Sequence, residues 1–191
     1  MRKIVFITGM LIAGACNNQP KDKTPEKDKP AAGVFPVTDF IRGQIHMVDS
    51  FQSITFRYVI RQDKTDTSLI SIPEFKKLAQ TFLHPELSDS SLLHHYTEAS
   101  FADQSGGTVV FNYTARNPEL EVQRVDIVVD ANPVLADKVR SVYEERRSAR
   151  SDTFITEKLY WRTDKNFQII SSKQVKGQPE LVTITKVVWD N

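Results

Sequence analysis

The sequence predicts an α+β domain in which two N-terminal amphipathic helices pack on a curved, mostly antiparallel sheet of about seven to eight strands. Apolar residues recur at helical spacing in two segments before residue 84, whereas apolar and polar residues alternate in most segments after Tyr96. Short turn sequences separate these alternating segments. Strands joined by short turns pair antiparallel with their neighbours, so we expect a long meander whose apolar face is covered by the helices.

The first predicted element is an amphipathic helix from Pro36 to Asp49. Proline suits the first turn of a helix, because its missing N–H would have no partner there. Apolar residues recur every three or four positions and give the helix one apolar side. These residues are Val37, Phe40, Ile41, Ile45 and Val48.

A strand is predicted next, over "ITFRYVIR" (54–61). Successive side chains of a strand point to opposite faces of the sheet, and here apolar and polar residues alternate. We therefore expect the apolar face to be buried and the polar face to meet solvent. The apolar face carries Ile54, Phe56, Tyr58 and Ile60, and the polar face carries Thr55, Arg57 and Arg61.

A second helix is predicted to begin after Ser71. Ser71 and Glu74 have the spacing of a capping box, in which each side chain binds the other residue's backbone N–H. Because proline disfavours a helical residue before it, His84 and Pro85 are expected to end the helix. A short helical turn is predicted over 88–96. The apolar stripe consists of Phe75, Leu78, Ala79, Phe82 and Leu83.

Seven further strands are predicted after Tyr96. Two pairs of them flank turn sequences, Ser-Gly-Gly at 105–107 and Asp-Lys-Asn at 164–166, which are typical of hairpins. The predicted strands cover 98–104, 108–115, 121–130, 138–147, 153–163, 167–175 and 181–189.

The N-terminus has the pattern of an export signal. Met1, Arg2 and Lys3 provide a positive start, and an apolar run over 4–15 follows. Twelve helical residues rise about 18 Å, which is shorter than the roughly 30 Å hydrocarbon core of a bilayer. Residues 1–15 are therefore predicted to be a cleaved signal peptide and not a membrane-spanning helix.

Small residues at 13–15 lead directly into Cys16, the single cysteine of the chain. This pattern resembles the lipobox of bacterial lipoproteins, although Ala13 stands where that family prefers Leu, Val or Ile. The resemblance covers the first 16 residues and implies cleavage by signal peptidase II and a lipid, including palmitate, on Cys16. Stable anchoring requires two or more acyl chains. An ordinary secretory leader followed by an idle cysteine is the alternative.

The segment after Cys16 is predicted to be a disordered tether. It contains three prolines and alternating charges over 17–33 and no large apolar residue, so it cannot bury enough surface to offset its chain entropy. The predicted organisation is a signal peptide at 1–15, the lipidated cysteine and tether at 16–34, and a single α+β domain at 35–191. The last segment is long enough for one domain with its own core.

The charge distribution argues against a nucleic-acid partner. Two of the 25 basic residues, Arg2 and Lys3, lie in the leader, which leaves the mature chain slightly negative with no long basic run. Proteins that bind nucleic acids obtain much of their affinity from clustered Lys and Arg.

Histidines and acidic residues cluster between residues 84 and 95. His84, His94 and His95 are weak candidate metal ligands, because zinc is commonly bound by His together with Asp or Glu. However, no two of these histidines have the i, i+4 spacing that places them on one side of a helix. We therefore predict no metal site and interpret the cluster as a polar loop at the edge of the sheet.

Three aromatic residues are weak candidates for partner binding: Tyr160, Trp161 and Trp189. Neighbouring strand residues point to opposite faces, so only one of Tyr160 and Trp161 can join the core. The charged run "YEERRSAR" (143–150) is interpreted as a solvated sheet edge, where charges oppose edge-to-edge aggregation.

No sequence motif points to catalysis. The chain has neither a Gly-x-Ser-x-Gly motif nor a Gly-rich phosphate loop, and Cys16 is assigned to the anchor. We therefore predict no catalytic residue and no cofactor.

These observations favour a membrane-anchored lipoprotein of the cell envelope whose domain is a non-enzymatic binding module for a protein, glycan or lipid. Asn17 follows Cys16, and the absence of Asp there favours the outer membrane over the inner membrane. The alternative is a carrier of a hydrophobic ligand in the concave face of the sheet, because the layout resembles the half-barrels of lipoprotein-sorting factors in outline. A hydrolase with its site in the same concavity is a third hypothesis.

Overall fold

The computed structural model describes residues 35–62, 64–83, 94–131 and 138–190. In these ranges the chain forms two α helices and nine β strands, with a short 3-10 helix, Gln80–Phe82, directly after the second α helix. The elements in chain order are α1 (Val37–Ser50), β1 (Ile54–Arg61), β2 (Lys64–Ile70), α2 (Ile72–Ala79), β3 (Tyr96–Asp103), β4 (Thr108–Ala115), β5 (Val122–Asp130), β6 (Val139–Arg150), β7 (Thr153–Arg162), β8 (Asn166–Val175) and β9 (Leu181–Asp190).

All nine strands belong to one antiparallel sheet in the order β2-β1-β9-β8-β7-β6-β5-β4-β3. Strands β3 to β9 form the predicted meander, but β9 then pairs with β1, so Phe56 lies opposite Val188. The sheet is not closed, because β2 and β3 are its two edges. The described domain is therefore mostly antiparallel β structure with two short helices. It contains more strands than the seven to eight predicted.

Both predicted helices are present, within one residue of their predicted starts. Helix α1 follows Pro36, and α2 begins with the predicted capping box. The backbone N–H of Glu74 donates to Ser71 Oγ at 3.4 Å, and the backbone N–H of Ser71 donates to Glu74 Oε2 at 2.9 Å. His84, Pro85 and most of the helical turn predicted over 88–96 lie outside the described residues. No described helix has the length and apolar character needed to cross a membrane.

The two helices pack on one face of the sheet, which we call the inner face. Phe75 of α2 lies 5.5 Å from Trp189, measured between ring centroids, and Phe82 lies 5.1 Å from Trp161. Phe167 contacts all four of these rings. Contacts of this kind stabilise a core beyond the burial of area alone. Helix α1 adds Val37, Ile41 and Val48 to the same core.

The prediction that the apolar face of β1 is buried is wrong. Thr55 is only 1% exposed, whereas Ile54 and Phe56 are 62% and 42% exposed. The reason lies in the pairing of β1 with β9, which places Thr55 beside the buried Trp189 on the inner face. Alternation separates two faces of a strand but does not determine which of them the helices cover. The apolar side chains of β1 therefore lie on the opposite face, which we call the outer face.

The interpretation of residues 143–150 as a solvated sheet edge is also wrong. These residues belong to β6, which lies inside the sheet between β5 and β7. Glu144 points to the inner face and is completely buried. Only the long-range pairing of strands decides whether a strand is central, and this pairing is not visible in the local sequence.

Candidate functional site

The β1–β2 hairpin exposes two chemically different surfaces, one on each face of the sheet. The two strands pair in a fixed register in which Phe56 lies opposite Leu69 and Arg61 opposite Lys64. Because side chains alternate between faces, Ile54, Phe56 and Leu69 share the outer face. Arg57 and Arg61 point to the inner face, as the buried Thr55 does, because each lies an even number of residues after Thr55 on β1.

The first surface is an apolar patch, which we define by Ile54, Phe56 and Leu69 on the outer face. Their exposed fractions are 62%, 42% and 67%. Val188 of β9 lies directly beside Phe56 and is partly buried. Farther along the same face, apolar side chains continue across three neighbouring strands through Ile60, Ile184 and Ile170.

The second surface is a cationic cleft on the inner face, with a cavity of about 550 Å³. Arg57, Val59 and Arg61 contribute from β1, since alternate residues share a face. Lys64 lies opposite Arg61, and Asp66 lies opposite Val59. The described residues that line it are Arg57, Val59, Arg61, Gln62, Lys64, Thr65 and Asp66, and Asp63 lies outside the described residues.

Arg57 lies at the end of the cleft nearest to α2. Its Nη2 donates to Ser68 Oγ at 3.0 Å, while its Nε is buried without an acceptor in the described part of the chain. The pKa of Glu74 lies below its usual value, chiefly because Ser71 donates to the Glu74 carboxylate from its backbone N–H and its hydroxyl. The positive charge of Arg57 lowers the same pKa further. Arg57 pairs with Ser68, three residues before the N-cap Ser71, so it lies near the beginning of α2.

The cations of the cleft differ in their ion pairing from several other arginines of the sheet. Arg124, Arg140 and Arg147 each form an ion pair, with Asp126, Asp130 and Glu145 respectively. Among the residues that the structure describes, Arg57, Arg61 and Lys64 form no such pair. Among its described residues, the cleft contains three cations and one carboxylate, that of Asp66. Its electrostatic character suits an anionic ligand.

A separate feature of the inner face is the buried carboxyl group of Glu144. It lies between Val125 of β5 and Leu159 of β7. Burial raises the pKa of Glu144 from 4.5 to about 8, and the positive charge of Arg146 opposes part of this rise. Arg146 itself is held by an ion pair with Glu121, and its Nη1 lies 3.4 Å from Glu157 Oε2.

Two further cavities occur elsewhere in the described domain. One, of about 270 Å³, lies beside α1 and α2, where Lys76 Nζ and Asp49 Oδ2 are 2.6 Å apart. The other, of about 650 Å³, lies where Glu119 and Glu121 approach the end of β6 and the start of β7. Both cavities are lined in part by charged side chains.

The candidate metal ligands lie apart from the cleft in the chain. His94 and His95 precede β3, with ring centroids 3.8 Å apart, and His84 lies outside the described residues. In the ranges that the structure describes, no three His, Cys, Asp or Glu residues form a group able to hold a metal ion.

The three aromatic candidates are divided between the two faces. Tyr160 is 40% exposed on the outer face, whereas Trp161 and Trp189 are 0% and 4% exposed in the core. As the alternation predicts, only one of Tyr160 and Trp161 joins the core. Cys16 lies outside the described residues.

Neither surface of the β1–β2 hairpin was singled out as a site from the sequence. The sequence "RYVIR" (57–61) does indicate a cationic strand face, because its two arginines are an even number of residues apart, and Lys64 follows them. However, the strand β2 that completes the cleft has a mostly polar sequence and was not predicted.

Comparison of the chain with protein-family models, with curated proteins and with solved structures gives no match.

Proposed function

We propose that this chain is a lipid-anchored lipoprotein of the cell envelope whose folded domain is a non-enzymatic binding module. In this proposal, residues 1–15 are removed and a lipid on Cys16 holds the chain to the membrane, with palmitate among its acyl chains. The positive start, the short apolar run and the single cysteine after small residues support the anchor. Asn17 after the cysteine supports the outer membrane over the inner membrane.

The exposed apolar patch is the observation that carries the binding function. Large apolar side chains scattered singly on a surface are ordinary, but contiguous ones often mark an interaction site. Phe56 and Leu69 are direct cross-strand partners, and Ile54 lies on the same face. The patch thus presents a continuous apolar surface that a partner can cover.

A protein is the partner that the composition of this face favours. Protein interfaces typically have an apolar centre surrounded by a polar rim. Thr67 and Lys186 lie on either side of Tyr58 on the same face, and Asn166 lies opposite Val188. These polar side chains border the apolar centre on the sides of Tyr58 and β8, as the polar rim of a protein interface does. A lipid, a glycan or a second copy of this chain are the other outcomes of the test below.

The packing of the inner face supports a binding module over a carrier of a hydrophobic ligand. A carrier requires an apolar cavity of several hundred Å³. In the described domain, the rings of Phe75, Phe82, Trp161, Phe167 and Trp189 contact one another in the space between the helices and the sheet. The three cavities described above are each lined in part by charged residues.

The proposal is tested by photo-cross-linking in cells. A photoreactive amino acid replaces Leu69 in the patch, and the matched control replaces Phe154, which is 54% exposed on β7. We expect a reproducible protein adduct from position 69 and not from position 154. Adducts that contain only lipid, glycan or a second copy of the chain, or identical adducts from both positions, would contradict a protein partner at the patch.

A further inference from the structure

We propose that the cationic cleft binds a sugar that carries two phosphate groups, one toward each end of the cleft. This inference goes beyond the proposed function, because it adds a second ligand on the opposite face of the β1–β2 hairpin. It requires neither the lipid anchor nor a partner at the apolar patch, so each proposal can fail without the other.

One phosphate position is formed by Arg61 and Lys64. The two residues are direct cross-strand partners, so their Cβ atoms lie about 5 Å apart. Both side chains are exposed, and neither pairs with a carboxylate in the described part of the chain. Two cations at this spacing can both contact the oxygens of a single phosphate group.

The second phosphate position is formed by Arg57. It lies four residues from Arg61 on the same strand face, which corresponds to about 13 Å between their Cα atoms. The planar guanidinium group presents N–H donors in a geometry that matches phosphate. Arg57 lines the cavity, and although its Nη2 donates to Ser68 Oγ, the remaining N–H groups of its two Nη atoms can donate to ligand oxygens. The separation suits two anionic groups of one ligand.

The middle of the cleft selects against a third anion. Asp66 lies opposite Val59, between the two phosphate positions. Its carboxylate repels anions, but it accepts hydrogen bonds from hydroxyl groups, and Val59 provides an apolar floor. A ligand with phosphates at its ends and hydroxyl groups between them therefore fits this order of side chains. The cavity of about 550 Å³ lies in the range of small-molecule sites.

This chemistry has two sources in a cell envelope: a free sugar bisphosphate, and the headgroup of a glycolipid that carries two phosphates. The same three cations would hold either of them. The experiment below distinguishes the two sources with a soluble ligand and with vesicles.

The soluble ligand is tested by calorimetric titration of the full chain, purified in neutral detergent at low ionic strength, where screening is weakest. The probes are fructose 1,6-bisphosphate, hexane-1,6-diol bisphosphate, which lacks the hydroxyl groups between its phosphates, and inorganic phosphate. We expect the sugar bisphosphate to bind most tightly and inorganic phosphate most weakly. Asp66→Asn is expected to reduce the preference for the sugar bisphosphate over the diol bisphosphate, because Asp66 accepts the hydroxyl hydrogen bonds.

The variants Arg57→Gln and Arg61→Gln are each expected to weaken binding of the sugar bisphosphate by about tenfold, since each removes a charge-assisted hydrogen bond. Arg162→Gln is the matched control, because Arg162 is an exposed arginine of β7, outside the cleft. Arg61 is itself exposed, so Arg61→Gln should fold normally, and thermal unfolding verifies this for each variant.

The lipid source is tested by co-sedimentation of the full chain with phosphatidylcholine vesicles, with and without a bisphosphorylated disaccharide glycolipid. Binding that requires the glycolipid and is weakened by Arg61→Gln assigns the ligand to a lipid headgroup. Binding of the soluble probe alone assigns it to a free sugar. The proposal is overturned if neither ligand binds, or if Arg61→Gln and Arg162→Gln weaken binding equally.

Discussion

Gln44 of α1 and Asp164 of the β7–β8 turn are joined by two hydrogen bonds that dock the helix on the sheet. Gln44 Nε2 donates to Asp164 Oδ1 at 3.0 Å, and the backbone N–H of Asp164 donates to Gln44 Oε1 at 2.9 Å. The indole N–H of Trp161 points to the same Oε1 at 3.5 Å. Gln44 is only 7% exposed, so water cannot easily replace these bonds.

Gln44→Ala is therefore expected to lower the free energy of unfolding by about 1–3 kcal/mol, because the substitution leaves polar groups of Asp164 without their partner. Arg42→Ala is the control on the same helix. Its ion pair with Asp39 at 3.1 Å is exposed, so the expected loss is less than about 1 kcal/mol. Urea denaturation of both variants measures the difference, and equal losses would contradict the docking role of Gln44.

Trp161 and Tyr160 provide a second test, because these adjacent residues lie on opposite faces of β7. Trp161→Ala is expected to cost about 3–5 kcal/mol, since it opens a cavity among the packed aromatic rings. Tyr160→Ala is expected to cost less than about 1 kcal/mol, because its side chain is exposed on the outer face. Denaturant unfolding of the two variants checks this order, and a larger loss for Tyr160→Ala would contradict the assignment of faces.

Glu144 is expected to make the stability of the domain depend on pH. Its pKa is raised from 4.5 to about 8 in the folded state, because burial disfavours the carboxylate. Between these two pH values the folded state binds more protons than the unfolded state, so stability falls as the pH rises. The contribution of this group is at most about 1.4 kcal/mol per pH unit.

Glu144→Gln is expected to remove this decline and to be more stable than the wild type above pH 8, because the amide does not ionise. The measurement is the free energy of unfolding as a function of pH for both proteins. Glu145→Gln is the control, because Glu145 is only partly buried and forms an ion pair with Arg147 at 2.8 Å. If the wild type and Glu144→Gln lose stability in parallel from pH 5 to 8, the group does not titrate as described.

Substitutions of Leu69 and of its neighbour Ile70 distinguish an effect on partner binding at the apolar patch from an effect on the stability of the domain. Leu69 is 67% exposed and Ile70 only 6%. Leu69→Ser is expected to change the free energy of unfolding by less than about 0.5 kcal/mol, whereas Ile70→Ala is expected to cost about 2 kcal/mol or more.

The effect of Leu69→Ser on partner binding is measured by cross-linking from a photoreactive residue at position 54. Leu69→Ser should reduce the yield of the protein adduct formed there, because it removes part of the apolar surface that the partner covers. An unchanged yield with an unchanged stability would show that the partner does not contact Leu69.

Local signals in the sequence were sufficient to locate the helices and most of the turns. The Ser71 and Glu74 capping box is a local pattern, and the structure forms it. Similarly, the turn at 164–166 joins β7 and β8 as predicted, with Asp164 in the left-handed region at φ 56°. Asp is among the residues that tolerate this conformation, so the turn can be predicted without knowledge of the rest of the fold.

Strand β2 was not predictable in the same way. Its sequence "KTDTSLI" has two apolar residues at its end and no alternation, because it is an edge strand with little burial on either face. Backbone pairing with β1 across a short turn determines its position. The cationic cleft was missed for this reason, since two of its charged residues, Lys64 and Asp66, belong to β2.

The orientation of β1 and the burial of Glu144 depend on contacts distant in sequence. The pairing of Thr55 with Trp189 joins residues near the two ends of the domain. Glu144 is buried because β5 and β7 flank it and the helices cover its face. Neither arrangement leaves a signal in a window of ten residues, so the alternation in β1 and the charges of residues 143–150 each led to an incorrect assignment.

The central claim is that Cys16 carries a lipid. The most direct test is to isolate the chain from cell membranes and to measure the intact mass of its N-terminal peptide. We predict a peptide that begins at Cys16 and is heavier than its amino acids by a diacylglycerol group. Cys16→Ser should lack this mass and leave the membrane fraction. A peptide that begins elsewhere, or an unmodified Cys16 in the membrane-bound protein, would contradict the proposed anchor.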